Sequence, residues 1–348
     1  MARFFPWRPT RSSSSGLDAL LHRPERENVW ARFLSSRSKL KFLARCLYHS
    51  LFTPRPGPGP GIRVVCISDA HTTQPLSLPD GDVLLHAGDL TLSGTREELE
   101  TQIEWLDGLP YRWKVVVAGN HEMCLDRRRQ REGEGGDGAG QEIQPVDVDW
   151  RSIIYLEDSS VTLEIPFRDG TGKTRPRRLK VYGSPRTPKH GDWAFQYPRW
   201  HHEHDHQKDT DTDPWKDTIP PDTDILLTHG PPAFHLDSAG AGAAALGCTF
   251  LLRELWAKRN RPLLHVCGHI HAGYGVEVLL WDRCQEAYEQ VMSAGGGIGS
   301  RWVNMVRMVY WGLVRVVSRV VSRTVLVNAA VVGGLRDTER REAIVVVV

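Results

Sequence analysis

From Ile62 onward one unit recurs: a short apolar run that breaks on a loop containing Gly, Asp or His. IRVVCIS (62–68), DVLLHAG (82–88), WKVVVAG (113–119), LKVYGS (179–184), DILLTHG (224–230) and LLHVCGH (263–269) read as buried strands. TREELETQIEWLDGL (95–109) and CTFLLRELWAKR (248–259) carry helical spacing between them. Strands alternating with helices predict an α/β fold whose sheets are covered on their outer faces. Reactive side chains are then expected in the loops just past the strand ends, where ligands bind in such folds.

Composition narrows the function classes. The 348 residues hold 44 basic and 42 acidic side chains, a net charge of +2, so charge alone predicts no nucleic-acid binding. Six cysteines are too few for a disulfide scaffold, and Cys66 and Cys267 lie inside apolar runs, which favours reduced thiols. The N-terminus is basic and Ser-rich without an apolar signal core, and Asp18, Glu25 and Glu27 argue against a mitochondrial presequence. A cytoplasmic protein is expected, with peripheral membrane association as the alternative.

Residues 1–60 read as an N-terminal extension and 61–348 as the main domain, with insertions at 127–145, 201–217 and 285–323. Within the extension, Leu40, Leu43, Leu47 and Leu51 form a helical stripe flanked by Lys39, Lys41 and Arg45. A short helix capping the domain is favoured over a membrane-surface helix there. TPRPGPGPG (53–61) is a linker, since Pro and Gly forbid helix and sheet pairing. The His- and Asp-rich 201–217 segment lacks a strand-end frame and reads as a solvated insertion in preference to a metal site.

The 301–323 segment is apolar but studded with arginine, with Arg315, Arg319 and Arg323 every four residues and Trp302, Val306, Val309, Leu313, Val317 and Val320 supplying apolar surface. Each arginine at a membrane centre costs about 2.5–3.5 kcal/mol, so a spanning helix is not expected. An interfacial helix and a lid beside the core both stay open. Peripheral membrane contact through 39–52 or 301–323 follows from the first of these.

The strand-end loops, read in order, give Asp69-Ala70-His71, Gly88-Asp89, Gly119-Asn120-His121-Glu122, Thr228-His229-Gly230 and Gly268-His269-Ile270-His271. One such histidine alone would be structural. Five loops aimed at one sheet edge form a ligand set of carboxylate, imidazole and amide that suits Mn²⁺, Fe or Zn²⁺. His86, on a strand, reads as core or as support for a ligand.

This order of D-x-H, G-D, G-N-H-E, T-H-G-P-P and G-H-x-H resembles the calcineurin-like metallophosphoesterase superfamily over roughly 62–280, plus a last strand pair near 324–348. GNHE, LTHGPP and GHIHAGYG, with GSPRTP and WAFQ between, are most similar to the metallophosphoesterase-domain-containing branch. The resemblance implies a four-layer α/β/β/α sandwich of two mixed sheets flanked by helices. It implies two divalent ions, the first on Asp69, His71, Asp89 and His271, the second on Asp89, Asn120, His229 and His269. Asp89 would bridge them, and His121 would face the substrate as the catalytic acid. The implied reaction is attack of a metal-bridging hydroxide on a small phosphorylated substrate, in the most similar branch a phosphodiester, with cyclic nucleotides as one such class. A phosphomonoesterase on a small metabolite and a catalytically silent metal-binding scaffold are the alternatives.

The protein-phosphatase branch carries GDxVDRG, whereas this chain reads Gly88-Asp89-Leu90-Thr91-Leu92-Ser93-Gly94. Without that acid and arginine, protein phosphatase activity is not expected, and Leu92 is not expected to orient His121. Arg186 and His190 are candidates to line the substrate pocket, since Arg suits a phosphate oxygen.

Overall fold

In the computed structural model, β1 (Arg63–Ile67), β2 (Val83–His86), β3 (Trp113–Val116) and β4 (Ile154–Tyr155) run parallel in register, so their C-terminal ends share one edge. The structure describes residues 39–52, 61–75, 77–127, 147–168, 174–199, 213–238, 245–293, 297–317, 322–334 and 337–348. The last strand, β15 (Ile344–Val347), closes this sheet antiparallel to β1.

A second sheet has the order β11-β12-β10-β9-β6-β5. Its members are β5 (Ser159–Arg168), β6 (Thr174–Ser184), β9 (Ile225–Thr228), β10 (Leu264–Cys267), β11 (Gly275–Leu279) and β12 (Thr324–Asn328). The strands β6, β9, β10 and β12 are parallel, and β5 and β11 are antiparallel edges. Two small pairs complete the strands: β7 (Thr187–Pro188) with β8 (Gln196–Tyr197), and β13 (Val332–Gly333) with β14 (Glu339–Arg340).

Strand alternation builds the layers. Val64 and Cys66 face the second sheet and meet Val181, Leu227, Val266 and Val327 in a core between the sheets. Val65, Ile67 and Val116 point the other way, onto Leu99, Ile103 and Leu106 of α2 (Arg96–Asp107). The outer face of the second sheet packs Leu226, Cys267 and Leu326 against Leu251, Leu252 and Leu255 of α3 (Thr249–Ala257). The result is the four-layer sandwich that the motifs imply. All six cysteines are free thiols.

Beyond α3 lies a further helical group: α1 (Lys39–Leu47), α4 (Arg283–Met292) and α5 (Ile298–Val317). The α1 face that packs is Leu40, Ala44, Leu47 and, from the following π-turn, Tyr48, while Leu43 stays exposed. Tyr48 stacks on Tyr288 of α4 with ring centroids 4.1 Å apart, and this contact rotates the buried face away from the leucine stripe.

Three expectations are changed or fall elsewhere. The last two long strands do not pair: β12 joins the second sheet and β15 the first. β12 lies between β10 and β11, and β15 lies at the edge beside β1, so the C-terminal region ties both sheets together. The 201–217 segment is described only from Asp213, where Trp215 is buried rather than solvated and donates from Nε1 to the Tyr197 hydroxyl at 3.1 Å. Residues 1–38, most of the 53–61 linker, 128–146 and 201–212 lie outside the described residues.

Candidate metal centre

Parallel strands deliver the ligand loops, and unusual backbone turns aim them. Asp69, His71, Asp89 and His269 all adopt left-handed backbone, with φ of 54°, 43°, 54° and 65°. Non-glycine residues held there cost energy and concentrate at functional sites. The first two loops are zipped together: Asp69 N–H donates to the Gly88 carbonyl at 2.8 Å and His71 N–H to the Asp89 carbonyl at 3.0 Å. At Gly268, an added Cβ would lie 2.0 Å from Asp69 Oδ2, so only glycine lets this strand end approach the carboxylate.

Glu122, the last residue of GNHE, is outside the implied ligand set, yet it organises the site. Its buried carboxylate accepts from Asp89 N–H at 2.9 Å, Thr91 N–H at 2.9 Å, Thr91 Oγ1 at 2.9 Å and Gly119 N–H at 2.5 Å. One side chain thereby locks the second loop to the third.

Within this frame the expected ligands converge. Among the described residues three groups offer ligand atoms lying within 4.8 Å of one another: Asp69, His71 and His271; His71, Asp89 and His121; and Asp89, His229 and His269. Asp89 belongs to two of them. Asn120 Oδ1 lies 3.0 Å from His229 Nε2, which is itself 3.3 Å from Asp89 Oδ2. The Nε2 atoms of His71 and His271 approach to 3.3 Å, and His271 Nε2 lies 3.3 Å from Asp69 Oδ1.

The partners behind the rings fix their orientation. His229 Nδ1 donates to the Ala87 carbonyl at 2.8 Å. His271 Nδ1 meets Asp337 Oδ1 at 2.8 Å, and Arg341 donates to the His271 carbonyl. Both assignments leave Nε2 pointing inward, the arrangement that metal-binding imidazoles share. Asp337 and Arg341 flank the β14 strand, far along the chain from every motif, and no local signal marked them.

The electrostatics fit cations. Burial alone would lift Asp69, but the hydrogen bond and charge of His271 hold its carboxyl at about 2. Burial likewise opposes charge on His271, yet the bonds to Asp337 and Asp69 raise it to about 10; Asp89 similarly raises His229 to about 9. Burial prevails at His71 and His269, lowered to about 4 and about 3. Two protonated imidazoles thus balance the two carboxylates, holding places that divalent ions would take with the same oxygen and nitrogen donors.

His121 sits differently. Its backbone N–H donates to Asp89 Oδ1 at 2.9 Å, while its Nδ1 lies 2.6 Å from the Leu92 carbonyl. Residue 92 therefore does orient His121, by its main chain, and the expectation from its side chain is corrected. The imidazole stacks on Trp193, with centroids 4.2 Å apart and planes at 24°, and meets His71 edge-on. Trp193 and the candidate His190 lie between β7 and β8, and the candidate Arg186 immediately precedes β7. There Arg186 is engaged by Asp158, Nε to Oδ2 at 3.0 Å and Nη2 at 2.8 Å, and donates to the Pro214 carbonyl. The His190 carbonyl accepts from Gln196 Nε2 at 2.9 Å. His86 is buried, with Nδ1 accepting from Gly88 N–H at 3.2 Å, which is a supporting place.

Comparison with known proteins agrees with this geometry. The calcineurin-like phosphoesterase family model matches residues 62–273, which include every strand-end ligand and well over half of the chain. The chain belongs to the calcineurin-like phosphoesterase family. Human metallophosphoesterase domain-containing protein 1 is 37% identical over 231 residues, covering 64% of each chain. UPF0046 protein K07C11.7 of Caenorhabditis elegans is 36% identical over 220 residues, covering 62% of this chain and 66% of that one. A protein of Emericella nidulans named probable rhamnogalacturonate lyase C is 48% identical over 335 residues, which is 95% of this chain but 28% of that protein. The chain thus spans between about a quarter and two thirds of the length of these curated relatives.

Proposed function

We propose that this chain is a two-metal phosphodiesterase. The observation that carries the reading is Asp89: its Oδ2 lies 3.8 Å from His71 Nε2 and 3.3 Å from His229 Nε2, one ligand of each proposed ion, so its carboxylate can be shared between the two. Asp69, His71, Asp89 and His271 would hold the first, and Asp89, Asn120, His229 and His269 the second. Such a pair of Mn²⁺, Fe or Zn²⁺ ions supplies Lewis acidity and a nucleophilic hydroxide at neutral pH.

The chain supplies positioning and the proton. With Nδ1–H held by the Leu92 carbonyl, Nε2 is the nitrogen through which His121 exchanges a proton with the departing oxygen. Trp193 covers one face of the ring, which limits its rotation and the access of water. Diester preference is favoured by charge. A monoester dianion calls for an added cation, yet Arg186 is committed to Asp158 and the GDxVDRG arginine is absent from this chain. A diester, with a single negative charge, asks for less; a cyclic nucleotide is a substrate of this class.

The test is hydrolysis of bis-p-nitrophenyl phosphate beside p-nitrophenyl phosphate, by metal-stripped protein reloaded with Mn²⁺. Metal-dependent turnover favouring the diester is expected, with His121→Ala keeping its metal while kcat falls by about 10²–10⁴. Preference for the monoester would replace the diesterase reading. No turnover with two ions bound would leave a metal-binding scaffold.

A further inference from the structure

The outward face of α5 is apolar along its length. Ile298, Trp302, Val303, Val306, Tyr310 and Leu313 are each between 54% and 74% exposed. At 3.6 residues per turn these six fall within an arc of about 140°, and Arg301, Arg307 and Arg315 all lie outside it. The opposite face carries Met305 and Met308, buried against Cys284, Ala287, Tyr288 and Val291 of α4. Solvent normally meets the polar face of a surface helix; here it meets a continuous apolar one, which marks an interaction surface.

Charge identifies what covers it. Between Glu289 and Asp337 the chain holds six arginines and no acidic residue. Arg315 is neutralised by Asp282 at 2.5 Å, but Arg307 donates to the neutral Gln290 and Asn304, so its charge is not cancelled by either. Lys41 of α1 brings an ammonium to the Met292 carbonyl, just ahead of α5. A second copy docked face to face would bring two arginine-bearing helices together. Residues 1–38 carry seven arginines against three acidic residues, so they share the sign of this surface. HHEHDHQKDTDT (201–212) is acidic but has no apolar side chain to lay on the face.

We infer that α5 is an interfacial helix that seats the protein on an anionic lipid surface, with Trp302 and Tyr310 at headgroup level and the apolar arc in the acyl boundary. Tryptophan and tyrosine favour that boundary, and arginines at the flanks reach anionic headgroups. Among the described residues no helix is long and apolar enough to cross a membrane, which fits a helix lying on one. The placement is independent of the phosphoesterase reading.

The test is co-sedimentation of the full chain with vesicles of phosphatidylcholine alone or with phosphatidylserine. Binding to the phosphatidylserine vesicles that weakens with salt is expected. Trp302→Glu and Val306→Glu, each on the exposed arc, should lower the partition coefficient by about tenfold or more, since burying a charge removes the apolar gain. Both variants should keep the wild-type circular dichroism and metal content. Absence of vesicle binding, or binding that both variants retain in full, overturns the inference. A dimer in sedimentation velocity that Val306→Glu dissociates overturns it too, in favour of a second copy.

Discussion

Two buried clusters in this molecule use the same residue types, and only one of them is built for metal. At the strand ends, His71 and His271 turn Nε2 toward Nε2 at 3.3 Å, and carboxylates of Asp69 and Asp89 close in from the side. Beside α4, His235 is fully buried between Glu277, 2.7 Å from Nδ1, and Glu289, 3.0 Å from Nε2. Glu289 also accepts from Gln285 and from Trp256 Nε1. Burial opposes a charge on His235, but Glu277 and Glu289 raise it to about 10. Its two acids sit on different nitrogens of the ring, so their oxygens do not converge with a second imidazole as they do at the strand ends. The difference teaches that composition does not make a metal site. Ligand atoms of three side chains lying within 4.8 Å of one another do, and among the described residues no such group forms around His235.

The largest expected effect breaks the first cluster alone. Asp89→Asn should lose bound metal on dialysis and lower diesterase turnover by about 10³-fold or more, given that each 1.4 kcal/mol of lost stabilisation is tenfold. Glu277→Gln should leave metal content unchanged. If Asp89→Asn keeps two ions and full turnover, the sharing of Asp89 is wrong.

Next comes the second cluster. His235→Leu leaves two buried carboxylates without their cation and should cost about 3–5 kcal/mol in urea unfolding, with metal content intact. A cost near zero would mean that Glu277 and Glu289 find other partners.

The same cluster predicts a pH dependence. His235 is raised from 6.5 to about 10, so its stabilisation is fully present below pH 6.5 and fades as the pH climbs toward 10. Glu277 is lowered, with burial outweighed by the charge of His235, so its contribution is present above its ordinary range and fades in acid. His49, Arg45, Asp237 and Glu289 surround the pair and set the background. Thermal midpoints should fall across the alkaline limb in the wild type, and more shallowly in His235→Gln. Equal slopes would remove His235 as the source.

The smallest effect concerns the seam between α4 and α5. Asp282 caps α4, accepting from Cys284 N–H at 2.9 Å and Gln285 N–H at 3.1 Å, and also holds Arg315. Asp282→Ala should cost about 1–2 kcal/mol, the usual worth of an N-cap, with no change in metal binding. A matching loss of metal would show that the helical group and the strand-end site unfold together.

The strand-end ligands were legible in the sequence because each follows an apolar run directly. Parallel strands then carry every such loop to one edge, whatever the order of the sheet. The α/β class was legible in strands alternating with helices, whereas the four-layer sandwich followed only from the family resemblance of the motifs. Tertiary structure alone decided the rest. A backbone carbonyl is offered by any residue, so nothing in Leu92 announced that it would hold His121. Asp337 meets His271 across 66 positions, and Glu122 serves loops that only folding brings together. β12 and β15 separated into different sheets because each pairs with strands distant in sequence, β12 with β10 and β11 and β15 with β1. A helix apolar on both sides, as α5 is, does not show in its own pattern which side the core will take. That choice belongs to α4, whose Tyr288 and Val291 cover Met305 and Met308 and leave Trp302 and Val306 outside.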